Sequence, residues 1–349
     1  MSQRREAKEL SFTDKRQYVL HTLIAEGGMG AIYRAHQLGV EQFSKDVAVK
    51  VIRTVLSRNE EFRRLFVGEA KLVADLVHEN IVQVYHLGEI SGQYFIAMEY
   101  VSGIDLWHFM NKHTEDTIEL DPELGAFIIS RVCRGLEYAH NKLDREDRPL
   151  NIVHRDVSPR NIMINYEGVV KLTDFGIAKA ARLMEQREGT VIMGKAAYMS
   201  PEQARGEETD RRSDLFSLGI VMYELLTGQW LFHDPNLRRS LERNKTMEIP
   251  DPRSARPELH PDLSAIMMTA LERDREQRYQ TAGEMGEAIE YYMYHNRYGP
   301  TNITLGNYVK KLFLGIDNPQ PGLVERKSMI LDPHTQTMSA METKTQQVE

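Results

Sequence analysis

Hydrophobic and polar positions change rhythm once along this chain. Up to about residue 101 the apolar residues come in short β-branched or alternating runs: 18–24 (YVLHTLI), 31–37 (AIYRAHQ), 45–53 (KDVAVKVIR), 81–88 and 93–101. Runs of this kind between turn residues predict strands. Residues 58–77 interrupt them, with Phe62, Leu65, Phe66, Ala70, Val73 and Val77 recurring every three or four positions, which predicts one helix. From Leu106 onward the helical period dominates, most clearly over 122–142, 214–227, 260–272 and 281–295. The expected fold class is therefore α+β and bilobal. A small β-sheet lobe with one main helix (18–98) is joined through 99–103 to a larger, mostly helical lobe (104–296). Residues 1–17 read as an extension. Beyond Gly299-Pro300, Leu305, Tyr308, Val309, Leu312 and Phe313 share one face of an amphipathic helix within 297–316. That helix either packs on the large lobe or docks a partner through 304–315. The polar stretch 317–349 has few apolar residues, which predicts disorder and offers a second route for partner docking.

Composition narrows the picture mainly by exclusion. The net charge of −7 gives nothing to a nucleic-acid backbone. The single cysteine, Cys133, excludes an intrachain disulfide and sits in an apolar helical pattern, as a small buried residue would. The histidines show no zinc-like cluster. No apolar run reaches the ~18 residues of a bilayer span, and Met1–Leu10 lacks the apolar core of a signal peptide. Together these point to a cytoplasmic protein.

The chemistry is concentrated in 154–176, which reads HRDVSPRN, IMINYEGVVKLT, DFG. It sets Asp156, Asn161 and Asp174 at fixed spacing on a turn–strand–turn hairpin. Each alone is an ordinary turn residue. Jointly they suit a hard cation with oxygen ligands, plus a carboxylate that accepts a proton from an attacking hydroxyl. Earlier, A25-E26-G27-G28-M29-G30 lies between two predicted strands, and glycine lets backbone amides approach phosphate oxygens. In V47-A48-V49-K50-V51 a lysine interrupts an apolar strand. A buried ammonium needs a partner, and Glu69, on the inner side of helix 58–77, is expected to pair with Lys50.

These motifs, in this order, resemble the eukaryotic-like Ser/Thr protein kinase superfamily, specifically its bacterial members, from about Tyr18 to Asn296. The resemblance implies an ATP- and magnesium-dependent transfer of a phosphoryl group to Ser/Thr hydroxyls of protein substrates. It places Ala25, Gly27, Gly28 and Gly30 in the phosphate-covering loop. Ile24, Ile32, Ala48 and Met163 line the adenine pocket, with Met98 as gatekeeper and Glu99 and Val101 at the hinge. Lys50 and Glu69 form the strand–helix pair, Asp156 is the catalytic aspartate, and Asn161 and Asp174 hold magnesium. Glu202 of Ser200-Pro201-Glu202 is expected to pair with Arg278, and Asp214 to anchor the catalytic loop. Val73, Val84, His154 and Phe175 would stack as an apolar spine between the lobes. Arg155, ahead of the catalytic aspartate, would read a phosphate on the activation segment, and Thr190 is the expected site of activating autophosphorylation.

Two departures from the pattern bear on turnover. Ala25 replaces the first glycine, and a Cβ there should weaken nucleotide binding. Ser158 stands where most Ser/Thr kinases carry a lysine that neutralises the transferred phosphoryl group. Lys195 is the first candidate to replace that charge, and Arg160, placed as in receptor-type tyrosine kinases, is the second. Arg160 should also disfavour basic peptides. Ala25 and Ser158 raise the alternative of an impaired kinase-fold scaffold, and Arg160 that of tyrosine or dual specificity; a small-molecule kinase shares the Asp–Asn–Asp chemistry, but Ser200-Pro201-Glu202 with Asp214 and Arg278 argues against it.

Overall fold

The structure, a computed structural model, describes residues 17–175, 196–295, 298–313, 328–331 and 339–341. In the small lobe, strands β1 (Gln17–Gly27), β2 (Gly30–Leu38) and β3 (Ser44–Ile52) are followed by α1 (Thr54–Arg58) and α2 (Glu60–Ala74). Strands β4 (Val84–Ile90) and β5 (Gln93–Glu99) complete it. All neighbours pair antiparallel, and Lys50 on β3 lies in register with Ile32 on β2 and Ile96 on β5. The helix predicted over 58–77 begins two residues later, because the Asn59 side chain accepts the Phe62 amide and caps it. Phe62, Phe66, Glu69, Ala70 and Val73 turn inward, whereas Val77 lies past the helix end and is exposed.

The large lobe opens with β6 (Gly103–Asp105), α3 (Leu106–Asp116) and α4 (Pro122–His140), then the hairpin β7 (Ile162–Asn165) and β8 (Val170–Leu172). Helices α5 (Pro201–Arg205), α6 (Arg211–Thr227), α7 (Leu237–Thr246), α8 (Pro252–Ala255), α9 (Pro261–Ala270), α10 (Ala282–Tyr294) and α11 (Asn302–Phe313) follow. Helix α6 is buried on every side from Ser213 to Leu226 and forms the axis of this lobe. Cys133 is buried there too, and burial pushes its thiol pKa up. The apolar period does not announce α7, whose buried residues are Ser240 and Asn244.

Helix α11 answers one of the alternatives above. Leu305, Val309 and Phe313 are buried against the large lobe. The Tyr308 hydroxyl donates to His113 Nε2 at 2.8 Å, while His113 Nδ1 faces the Phe109 carbonyl at 2.7 Å. The β7–β8 turn comes so close that a Cβ on Gly168 (φ +82°) would lie 1.9 Å from the Asn302 oxygen. Partner docking through the apolar face of 304–315 is thus corrected: the large lobe already covers that face.

A second correction concerns 317–349. Two short strands from it, β9 (Ser328–Leu331) and β10 (Ser339–Met341), extend the small-lobe sheet to the order β10-β9-β1-β2-β3-β5-β4. Tyr18, Val19 and Leu20 pair with Leu331, Ile330 and Met329. Without them β1 would be an edge strand with a row of unpaired backbone groups, and SMIL is a short apolar run in an otherwise polar stretch.

Candidate active site

The floor of the site is a set of hydrogen bonds that fixes the loop 153–158. The carboxylate of Asp214, at the start of α6, accepts the amides of His154 (2.8 Å) and Arg155 (2.7 Å) and faces His140 Nε2 at 2.9 Å. Burial works against this charge. The bonds from His140 and the loop outweigh it and hold the Asp214 carboxyl below its ordinary range. Two consecutive amides on one carboxylate hold Arg155 at φ +64°, a left-handed turn that a non-glycine residue adopts at a cost of about 1–3 kcal/mol. The His154 ring then receives the Asp156 amide on Nδ1 (3.2 Å) and meets the Thr173 carbonyl through Nε2 (2.9 Å). The His154 and Phe175 rings meet edge to face, centroids 4.5 Å apart, and Val73 and Phe175 belong to one buried cluster with Val84 packed on it.

Above this floor the three candidate oxygen-bearing side chains converge. Asn161, closing the turn Pro159–Asn161, donates its Nδ2 to the Asp156 carbonyl (2.7 Å) and to Asp156 Oδ2 (3.1 Å). The Thr173 amide bonds the Asn161 carbonyl at 2.9 Å, which ties Asp174 to the same turn. Asp174 sits at φ +63°, and its Oδ1 lies 2.8 Å from Lys50 Nζ. Lys50 thus pairs with Asp174 across the lobes, Asn161 with Asp156 within the large lobe, and the Thr173–Asn161 backbone bond links the two pairs.

The expected Lys50–Glu69 pair is not formed: among the described residues, the ion-pair partner of Lys50 is Asp174. Lys50 is 8% exposed and Glu69 9%. Lys50 bonds a carboxylate carried by the large lobe, 124 residues away in sequence, a contact that nothing local announces.

The remaining small-lobe candidates divide. Ala48 and Met98 are cross-strand partners in one apolar cluster, with Ile32 and Val101 packed against it. Ile24 is 37% exposed on β1. Glu99 pairs with Lys171 at 3.0 Å, and Met163 is half-buried on β7 opposite Lys171. Ala25 lies beside an irregularity in the β1–β2 register, opposite Ile32. Gly28 falls in the turn that follows β1. The two loop glycines have different reasons to be glycine. A Cβ on Gly30 would fall 2.0 Å from the Val51 oxygen, whereas nothing lies within 4 Å of one on Gly27.

Comparison with known proteins decides what this site belongs to. The family described as "Protein kinase domain" matches residues 18–289. The chain belongs to the protein kinase family. It is 39% identical over 297 residues to the tyrosine-protein kinase MasK of Myxococcus xanthus, covering 85% of this chain and 46% of that protein. It is likewise 39% identical over 276 residues to the serine/threonine-protein kinase PknB of Mycobacterium tuberculosis, covering 77% and 42%. The chain thus spans less than half the length of these curated relatives. Among solved structures, the PknI kinase domain of Mycobacterium tuberculosis matches with a TM-score of 0.61 at 25% identity, covering 81% of this chain and 99% of that one.

With the kinase fold in hand, the remaining candidates can be placed. Glu202 and Arg278 form a bidentate pair (2.8 and 2.9 Å) with both side chains fully buried. Burial raises the Glu202 carboxyl, but the Arg278 bonds outweigh it and bring its pKa to about 2. Arg155 reaches Thr209 Oγ1 at 3.2 Å through its Nε. Arg160 places its guanidinium 4.0 Å over the Trp107 ring, a cation–π contact. Ser158 is buried. Lys195 and Thr190 lie outside the described residues.

Several residues of this site carry no sequence signal of their own. His140 supports Asp214, and Trp107 lies under Arg160. Asn80 bonds the Val170 and Leu172 backbones behind the hairpin. Glu224 receives the Tyr198 hydroxyl at 2.8 Å and the Leu231 amide at 3.0 Å, and burial raises its pKa to about 8. Each matters through a contact distant in sequence.

The kinase family implies ATP and a divalent metal, and the donor set fits both. Asp156, Asn161 and Asp174 supply oxygen, as magnesium requires. Because Asn161 commits its Nδ2 to Asp156, its amide is oriented with Oδ1 as the remaining acceptor. Lys50 supplies a cation beside them.

Proposed function

We propose that this chain transfers the γ-phosphoryl group of Mg·ATP to protein hydroxyls. The observation that carries the reading is the meeting of Lys50, Asp156, Asn161 and Asp174 above a catalytic loop fixed by Asp214. Asp156 orients the acceptor hydroxyl and takes its proton. Asn161 and Asp174 hold the metal, and Lys50 holds the nucleotide phosphates. Ile32, Ala48, Met98, Val101 and Met163 enclose the adenine, and Glu99 and Val101 offer it backbone groups. When bound, magnesium neutralises charge on the phosphates; every other contribution is positioning by the chain.

Serine and threonine are the proposed acceptors, in keeping with the name of PknB and the overall motif set. Tyrosine is the second reading, favoured by Arg160 and by the name of MasK. Thr190 is the proposed autophosphorylation site, with Arg155 to receive its phosphate, and Lys195 the proposed replacement for the cation missing at Ser158. The cytoplasm is the proposed compartment, and no helix among the described residues is long and apolar enough to cross a membrane. Labelled γ-phosphate transfer followed by phosphoamino-acid analysis tests the reading. Phosphoserine and phosphothreonine are expected. Phosphotyrosine alone selects the second reading, and no protein-bound label overturns both.

A further inference from the structure

We propose that His21 and His36 form a binding site for a divalent late transition-metal ion, Zn²⁺ in the first instance, at the surface of strands β1 to β3. The two imidazoles come from neighbouring strands, and His21 Nε2 lies 3.0 Å from His36 Nδ1. The other nitrogen of His36, Nε2, is 2.8 Å from Asp46 Oδ1 on β3. A carboxylate there keeps the ring proton on Nε2 and leaves Nδ1 with its lone pair toward His21. Metal-binding histidines are oriented by this same carboxylate arrangement. Asp46 is held in turn: its Oδ2 takes Arg34 at 2.7 Å, and the Arg34 guanidinium lies 4.9 Å over the Tyr100 ring beyond β5. The pair of nitrogens is thus braced from three strands and the inter-lobe connection.

The separation suits adjacent ligands on one ion. With metal–nitrogen bonds of about 2.0–2.1 Å, nitrogens 3.0 Å apart subtend about 90° at the metal. The ring centroids are 4.2 Å apart with planes tilted by 60°, so the rings meet at a bend and not end to end. Neutral imidazole nitrogen prefers zinc, copper and nickel, whereas magnesium prefers oxygen. The site is therefore chemically distinct from the oxygen donors around Asp174. Among the described residues no group of three or more His, Cys, Asp or Glu side chains is placed to hold a metal. This is accordingly a two-nitrogen site completed by water, with correspondingly modest affinity. An ion here would tie β1 to β2, the two strands that lead into and out of the glycine-rich turn.

The competing account is a plain imidazole–imidazole hydrogen bond, which gives the same distance. Equilibrium dialysis of the full chain against ZnCl₂, in excess MgCl₂, separates the two. The unmodified chain is expected to retain one more Zn²⁺ than either His21→Ala or His36→Ala, whose affinity at this site falls at least tenfold. Asp46→Asn should weaken it by about 10–100-fold. Ring ¹⁵N resonances of His21 and His36 should move on zinc addition, and those of the buried His113 should not. Both imidazoles are at or near the surface, so the thermal midpoints of the variants in EDTA should match the parent. His21→Gln serves if alanine disturbs the strand. Equal zinc binding by parent and both histidine variants, or no zinc binding by the parent, overturns the proposal.

Discussion

Asp214 and Lys50 are both buried charges, and the fold satisfies them in different ways. Asp214 sits beneath the catalytic loop with two backbone amides and one imidazole around it, each within 3 Å. All these partners belong to one lobe. Lys50 meets a single described carboxylate, Asp174, across the seam between lobes, while Glu69 stays buried on α2. A network of several short bonds inside one packed body favours one arrangement. An ion pair across a seam can exchange partners whenever the two bodies shift. The comparison teaches that the loop carrying Asp156 is held from within the large lobe alone, whereas the Lys50–Asp174 contact depends on both lobes.

Another buried charge satisfied within the large lobe, the Glu202–Arg278 pair, should cost most to break. Arg278→Met strands Glu202 without its partner in a fully buried position, and urea unfolding should show a loss of about 3–5 kcal/mol. Lys50→Met is the contrasting case across the seam. It should change unfolding by less than about 1 kcal/mol, as for a poorly saturated pair, while phosphoryl transfer falls at least about 100-fold.

The Glu202–Arg278 pair should also show in the acid limb of stability. The Glu202 carboxyl has its pKa depressed in the fold, from an ordinary 4.5 to about 2. Its contribution is therefore fully present above pH 4.5 and is lost as pH falls toward 2. A pH series of thermal midpoints should fall across that window, and Glu202→Gln should flatten the fall from an already lower plateau.

A finer distinction concerns Gly27 and Gly30, which flank the β1–β2 turn. Gly30→Ala drives a Cβ into the Val51 carbonyl and should destabilise by about 1–3 kcal/mol. Gly27→Ala meets open space in the described fold. It should leave the thermal midpoint within about 0.5 kcal/mol equivalent and raise the apparent KM for ATP.

How much of this was legible in the chain depends on the range of the interactions. The short apolar runs of β1 to β5, the helical periods of α4 and α10 and the apolar stretches of α6 and α9 are local, and they place those elements within a few residues. The spacing of Asp156, Asn161 and Asp174 is local as well, since one hairpin carries all three. Helix α7 was not legible, because its inward face is polar: Ser240 bonds the Phe232 carbonyl, and Asn244 reaches the backbone near Met199. Nor were β9 and β10, which exist as strands only by pairing with β1 and with each other. The partner of Lys50 differs from the expectation because the contact is not local: Asp174 lies 124 residues away and meets Lys50 across the two lobes.

The central claim is that the four side chains gathered at the seam perform phosphoryl transfer. Mass spectrometry of the purified chain after incubation with Mg·ATP, beside an Asp156→Asn chain treated identically, tests it most directly. The account predicts phosphate added to the parent chain or to a supplied protein acceptor. It predicts a rate about 10²–10⁴-fold lower for Asp156→Asn, with the thermal midpoint retained. Equal phosphate incorporation by both chains would contradict it.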